Sequence, residues 1–536
     1  MSIDFGTVDP RERRFVAPVR VLWASEAGVS NAESLLSEDE GGCRMTSQGD
    51  VQPGLLLDFG RELHGGVRLE CPMTDKRGPA LLRVRFGESA SEAMSWPDND
   101  HAIHDFTVPV PWCGHTEIGN TGFRFVRIDL AGTVNPVEIS RVRAVHICRP
   151  LPYLGSFRCS DERLNRIWQT GAYTVHLCMQ DYVWDGIKRD RMVWIGDLHP
   201  ETMVVATVFG EVDVVPASLD YARDRFPLPG WMNGISSYSL WWIMCHHDWY
   251  RYHGNLEYLR AQREYLVGLV DMILSKVGPD GVERLDGHRF LEWPTSEDPT
   301  AIDCGLQALV SLSLARAADL CRLVGEPEAA ARAGEGAKRA AAAPRAPTGA
   351  KQSHALAVLA GMRHAAETNA SVLAMDPFRG LSTFYGYYVL EARALAGDYQ
   401  GCLDLIRTYW GAMLDLGATT FWEGFDLSWV EGSAGIDDLV PAGKRDIHAD
   451  FGNWCYRGLR HSLCHGWAAG PTAWLTRHVL GLAPPETGVG AVAGEPHLGD
   501  LDWAEGSIPT PNGVIAVRHV RKLDGSAASE VTRNPA

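Results

Sequence analysis

The chain has 536 residues, more than one hydrophobic core usually supports, so a large central domain with smaller flanking ones is expected. Hydrophobic residues make up 45% and charged residues 22%, a globular balance that excludes disorder over most of the length. Sixty-seven acidic against fifty basic residues leave a net charge of −17, which repels phosphate backbones and anionic lipid and argues against nucleic-acid or membrane partners.

The first twenty residues hold acids and arginines where a secretion signal needs an apolar run, and the expected location is the cytoplasm. The twelve cysteines, from Cys43 to Cys464, form no CxxC pair, so neither a disulfide framework nor a zinc ribbon is suggested. From about residue 15 to 150 the pattern alternates apolar and polar, as in Val67 to Cys71 and Leu82 to Phe86, with Gly, Pro, Asn and Asp between the runs. An antiparallel β-sandwich over residues 1–152 is predicted. At Ser160 the period changes: Ser160 is predicted to cap a helix whose face carries Leu164, Ile167, Trp168, Val175 and Cys178. Helical segments then dominate residues 153–482, among them Leu256 to Lys276, Ala308 to Val324, Leu381 to Ala396 and Cys402 to Leu416. The Ala-rich stretch Glu326 to Ala343 reads as an exposed helix and residues 344–347 as a surface loop. Residues 483–536 are predicted to form a small β appendage, with Pro511-Asn512-Gly513 turning into a strand at Val514 to Val517.

Chemistry concentrates in two places. Residues Asp185 to Asp197 pack three carboxylates, three cations and a tryptophan into thirteen positions broken by Gly186 and Gly196, wrong for a buried helix face. A solvated loop with surface ion pairs is the competing explanation. Residues Thr419 to Asp426 set Glu423 directly between aromatics, a neighbourhood that desolvates a carboxylate and is expected to raise its pKa. Glycoside hydrolysis needs such a pair, a protonated acid for the leaving oxygen and an ionised carboxylate for water or sugar. Eighteen tryptophans could also floor a sugar site, although most such rings are core. Leu291 to Thr295 again sets an acid beside an aromatic, making Trp293 a candidate wall. His199 and Glu201 could support Asp197 or cap the following helix.

The stretch Asp185 to Asp197 resembles the signature of the α-L-rhamnosidases of glycoside hydrolase family 78, Asp-x-x-x-Arg-(Asp)-Glu-Arg-x-x-Trp-x-Gly-Asp, shortened by one residue. Leu57 to Glu62, Arg85 to Ser89, Cys464 to Trp467 and the tail from Leu498 are similar to other segments of that family. The resemblance implies an (α/α)6 barrel as the catalytic domain, inversion of configuration, and no cofactor or metal. It places Asp190 at the general acid, Glu423 at the general base, and Asp185, Arg189, Trp194, Asp197 and His465 on the sugar. Trp293 and Trp422 join them as aromatic substrate contacts. Two departures stand out: Asp190 replaces a glutamate, and the gap from Glu423 to His465 is long. The expected partner is a carbohydrate or rhamnosylated small molecule; aglycone, linkage and oligomeric state, a homodimer among the options, stay open.

Two rivals remain at this point. One is another glycosidase on the same barrel, such as an unsaturated glucuronyl or other deoxy-sugar hydrolase; the other is a carbohydrate-binding protein without turnover. Cys245-His246-His247-Asp248 is a poor metal site, because adjacent helical residues diverge by roughly 100°. Gly488 to Gly494 reads as a linker rather than a nucleotide loop.

Overall fold

The computed structural model describes the chain except residues 1–7, 38–40, 48–51, 73–78, 97–101, 112, 133–135, 344–347, 486–487, 524–525 and 536. The loop expected at 344–347 thus lies outside the described residues.

Residues 12–148 form antiparallel sheets. Two long strands, Gly54–Cys71 and Gly114–Leu130, pair along most of their length and carry Arg141–Cys148 and Glu12–Val16 on one side, Ala80–Gly87 and Asp105–Val110 on the other. Alternate residues such as Leu55, Leu57, Phe59, Val67, Leu82, Val84, Phe123 and Val126 meet in one core, closed by the short strands Cys43–Met45 and Val137–Ile139. The pairing of the long strands slips between Asp58 and Leu63. There the chain turns outward, and the Glu62 N–H donates to Thr419 Oγ1 at 2.9 Å. The sheet is thereby tied to the loop that carries Glu423.

The longer helices between residues 162 and 479 are of two physical kinds. Ile195–Val208 is buried at every position, and Ser236–His253 at all but three, so these helices are enclosed on all sides. Glu162–Cys178, Pro327–Ala342 and Tyr399–Asp415 bury one face and expose the other. Pro299–Leu323 is long and apolar enough to cross a membrane, yet 78% of its apolar window is buried inside the fold. Asp298 caps it by accepting from Ala301 N at 2.9 Å, with Pro299 in the first turn, where a missing N–H costs nothing.

Several expectations are corrected. The cap of Glu162–Cys178 is Asp161, which accepts from Arg163 N and Leu164 N, while Ser160 Oγ accepts from Asp502 N. The helix expected over Leu256 to Lys276 breaks at Gln262 into Leu256–Ala261 and Arg263–Ser275. Ser156–Cys159, expected within the helical segment, is a strand. It pairs with Trp503–Thr510 in a four-stranded antiparallel sheet completed by Gly513–Arg521 and Ala527–Pro535. Phe157, Ala504, Ile508, Ile515 and Val517 belong to the same core as the helices, so this sheet shares their interior.

Candidate active site

The loop before helix Ile195–Val208 is shaped by backbone bonds to itself and to a distant strand-like segment. Asp185 N donates to Met192 O at 3.0 Å, and Asp185 Oδ1 accepts from Met192 N at 2.9 Å. Gly186 pairs with His465, and Gly466 N donates to Asp185 O at 2.8 Å. Glycine at 466 also leaves room for the buried Glu201, since a Cβ there would sit 1.6 Å from Glu201 Oε1. Asp190 and Arg191 turn the loop with φ of 56° and 53°, a left-handed pair tolerated more readily by the aspartate than by most side chains. Asn233 then fixes the helix start, accepting from Ile195 N and donating to Val193 O.

This loop, the start of Ser236–His253 and the segments around 290, 423 and 465 enclose a cavity of about 220 Å³. Asp185, Arg189, Asp190, Trp194, Asp197, Trp293, Glu423 and His465 all line it. Asn233, Tyr238, His288, Phe290, Cys455 and Trp467 complete the wall. A second cavity, also about 220 Å³, shares Trp293, Glu423 and Trp467 and is otherwise lined by Glu292, Phe425, Trp429, Trp454 and Tyr456.

Trp422 is not among these walls. It is 1% exposed, packed edge-on against Phe425, and its indole N–H has no hydrogen-bond partner among the described residues. Glu423 faces the cavity, whereas its neighbour Trp422 is packed into the core beside Phe425.

The charges are strongly coupled. Arg189 holds a Glu423 oxygen in a short contact, while its other terminal nitrogen lies 3.6 Å from Asp190 Oδ1. One guanidinium therefore reaches both carboxylates. Burial pushes the Glu423 carboxyl up, but Arg189, His465 and His461 outweigh it and bring it down to about 2. This reverses the sequence-based expectation: the aromatics desolvate Glu423 as anticipated, yet the cation decides its state. Among the described residues Asp185 has no such partner, and burial, aided by Asp197 and Asp190, drives it well above the carboxylate range against the pull of His465. His465 Nε2 lies 3.0 Å from Asp197 Oδ1. Burial disfavours the imidazolium, yet Glu423 and Asp197 hold its pKa above the ordinary histidine value. The backbone of Glu423 is fixed as well: its N–H donates to Ser462 O, and its carbonyl accepts from Trp467 Nε1 and Thr383 Oγ1.

His199 and Glu201 lie on the buried helix just inside this wall. His199 bonds Tyr388 and Asp248, and Glu201 Oε1 has no partner among the described residues. In the Cys245 to Asp248 run, His246 bonds its own helix at Trp242 O and His247 bonds Asp248.

Residues 152–348 match the family described as the bacterial alpha-L-rhamnosidase 6 hairpin glycosidase domain. No curated protein matches the chain. Among solved structures, a GH78 family rhamnosidase of Bacillus sp. GL1 superposes with a TM-score of 0.75 at 23% identity, over 93% of this chain and 54% of that one. A rhamnosidase from Klebsiella oxytoca with rhamnose bound gives 0.70 at 21% identity, over 88% and 96%. The Streptomyces avermitilis alpha-L-rhamnosidase complexed with L-rhamnose gives 0.72 at 16% identity, over 98% and 49%. The chain thus spans about half the length of the Bacillus and Streptomyces proteins and nearly all of the Klebsiella one. At these identities the superpositions speak for the fold, and the matched segment supplies Asp185, Arg189, Asp190, Trp194, Asp197 and Trp293. Residues 152–348 are thus similar to the bacterial α-L-rhamnosidase six-hairpin glycosidase domain, and the fold of the chain is that of the superposed rhamnosidases.

Proposed function

We propose that the protein is a cytoplasmic, inverting α-L-rhamnosidase whose helices form an (α/α)6 barrel behind an N-terminal β-sandwich. The observation that carries this reading is one guanidinium, Arg189, reaching an ionised glutamate and a second carboxylate across a sugar-sized cavity. Inversion needs one carboxylate ionised to take a proton from water and one able to protonate the leaving oxygen. Glu423, held low by Arg189, is the base. Because it borders both cavities, water has room on the side away from Asp190. Asp190, 23% exposed at the cavity wall, is the acid at the side where an aglycone departs. Asp185, raised by burial, donates to a sugar hydroxyl, Asp197 and His465 accept and donate as a pair, and Trp194 and Trp293 stack on the apolar face of a deoxy sugar. The substrate is a carbohydrate or a rhamnosylated small molecule.

The test is release of free sugar from a panel of nitrophenyl glycosides, with the anomer followed by proton NMR in the first minutes. Rhamnose released with inverted configuration is expected. Release of a different sugar would move the protein to another glycosidase specificity, and rhamnose binding without any release would make it a carbohydrate-binding protein.

A further inference from the structure

Lys188 points away from the cavity that its neighbour Arg189 enters. It is 1% exposed, and its ammonium lies 3.1 Å from Glu88 Oε2 and 3.2 Å from Glu92 Oε1, both carboxylates fully buried and both supplied by the N-terminal sheet region. The same nitrogen donates to Leu459 O at 3.0 Å and, in a short contact, to His461 O. Arg189 Nε donates to the carbonyl between them, Arg460 O, at 2.9 Å. Two consecutive cations thus hold three consecutive carbonyls of one loop. That loop leads into Ser462, whose N–H donates to Glu423 Oε2 and whose carbonyl accepts from Glu423 N.

The sheet-side acids are themselves held in place. Ser89 caps the short helix Ala90–Met94 by accepting from Glu92 N, while Glu92 Oε2 accepts from Glu88 N at 2.8 Å. Glu88 Oε2 also accepts from Leu463 N at 2.6 Å. Ser89 Oγ bonds His448 Nδ1, and His448 Nε2 bonds His461 O. Glu88, Glu92 and His448 stand close enough to hold a metal ion. The cation of this cluster is instead the Lys188 ammonium, and both imidazole nitrogens of His448 are engaged. An ammonium in so dry a place is worth its desolvation only if its partners are fixed, which makes the cluster a rigid joint between the two regions.

We propose that Glu88 and Glu92, acting through Lys188, are positioning residues for catalysis: they set where Arg189 and the loop 459–463 hold Glu423. The N-terminal sheet region is then a working part of the active site rather than an attached domain. This rests on the reading of Glu423 as the base. None of the three residues touches the sugar cavity, so their effect should fall on turnover rather than on sugar binding.

The experiment compares wild type, Lys188→Met and Glu92→Gln by steady-state kinetics on a nitrophenyl rhamnoside and by crystal structure. Lys188→Met keeps the stem and removes the charge. Its kcat should fall about tenfold to a hundredfold, as small misplacements of reacting groups do. KM should stay within about threefold, and Arg189 should have moved off Glu423 in its crystal structure. Glu92→Gln should show a smaller loss of the same kind. Wild-type kinetics in Lys188→Met would overturn the proposal, and so would lost turnover with the Arg189, Ser462 and Glu423 contacts unchanged. If Lys188→Met does not fold, Glu92→Gln decides by the same two criteria. If wild type cleaves no rhamnoside, the proposed function fails, while the crystal structures still show whether Arg189 and Glu423 depend on the cluster.

Discussion

Lys188 and Arg189 are consecutive, yet each serves a different buried cluster, and the acids they hold, Glu88 and Glu423, shift in opposite directions. On the cavity side Glu423 faces a guanidinium that touches it directly, and its carboxyl drops to about 2 in spite of burial. On the sheet side a single ammonium is shared by Glu88 and Glu92, with Glu62 close by. Burial there lifts Glu88 to about 7 against Lys188, and drives Glu62 well above the usual range. Burial is essentially complete in both places, so it does not distinguish them. What differs is the charge that faces each acid, Arg189, His465 and His461 for Glu423 but Lys188 opposed by Glu92 for Glu88, and that only the first site opens on a cavity. Where a neighbouring acid competes for the cation, as Glu92 does, burial raises the carboxyl; where cations dominate, as at Glu423, a carboxylate stays ionised beside a cavity.

Removing the ionised carboxylate should break this contrast most severely. Glu423→Gln keeps the shape and the Ser462 bonds but has no base, and kcat should fall by at least about 10²-fold with KM little changed. Activity near wild type would take Glu423 out of the mechanism and leave the Arg189 contact as a structural ion pair.

Asp190 sharpens the cavity side, because an acid and a sugar-gripping residue have different mutant profiles. A general acid matters in proportion to how poorly the aglycone leaves unprotonated. Asp190→Asn should therefore lose about 10²-fold on an alkyl rhamnoside and far less on a nitrophenyl rhamnoside. Equal losses on both would make Asp190 a binding residue and shift the acid to Asp185 or Asp197.

How much of this could be read from the chain follows from contact distance along it. Asp185, Arg189, Asp190, Trp194 and Asp197 lie within one short loop, so their shared cavity was visible as a local density of charge. The change of period near residue 160 and the turn at Pro511-Asn512-Gly513 were legible for the same reason, being patterns of neighbours. The protonation state of Glu423 was not, because its controlling cation is 234 positions away. Lys188 looked like one more charge in a polar loop, since its acids sit in a different region of the fold. Asn233, Tyr238 and Phe290 carried no signal beyond ordinary helix-start and loop residues. Trp467 stood in the recognised Cys464 to Trp467 segment, but nothing there said that its indole N–H supports the Glu423 carbonyl.

Glu292 offers an intermediate case, a buried acid on the second cavity whose partners are neutral. Ser382 and Gln352 both donate to it, yet burial outweighs them and raises its carboxyl from 4.5 to about 7. A raised carboxylate favours the folded state while it keeps its proton. The contribution is complete below about pH 4.5 and is lost as pH rises through about 7. Relative to Glu292→Gln, wild type should lose roughly 3 kcal/mol between pH 4.5 and 7.5. Urea unfolding of both proteins at those two pH values measures this. Parallel pH dependences would mean that neutral donors suffice to keep Glu292 ionised, and the rule drawn from Lys188 and Arg189 would not extend to it.

The smallest effect separates two tryptophans beside the base. Trp293 lines both cavities, while Trp422 faces the core with no partner for its indole N–H among the described residues. Trp293→Phe removes a stacking surface from the sugar and should raise KM several-fold, by roughly 1 kcal/mol of lost contact, with little change in stability. Trp422→Phe removes buried ring atoms, which costs packing, but it also removes a buried donor that has no acceptor, which offsets part of that cost. The net destabilisation should be about 1 kcal/mol, with KM unchanged. Thermal unfolding and KM for the two variants should therefore move in opposite patterns. A KM shift in Trp422→Phe as large as that in Trp293→Phe would show that the core packing behind Glu423 still governs the sugar site, so that the line between cavity wall and core falls elsewhere than at Glu423.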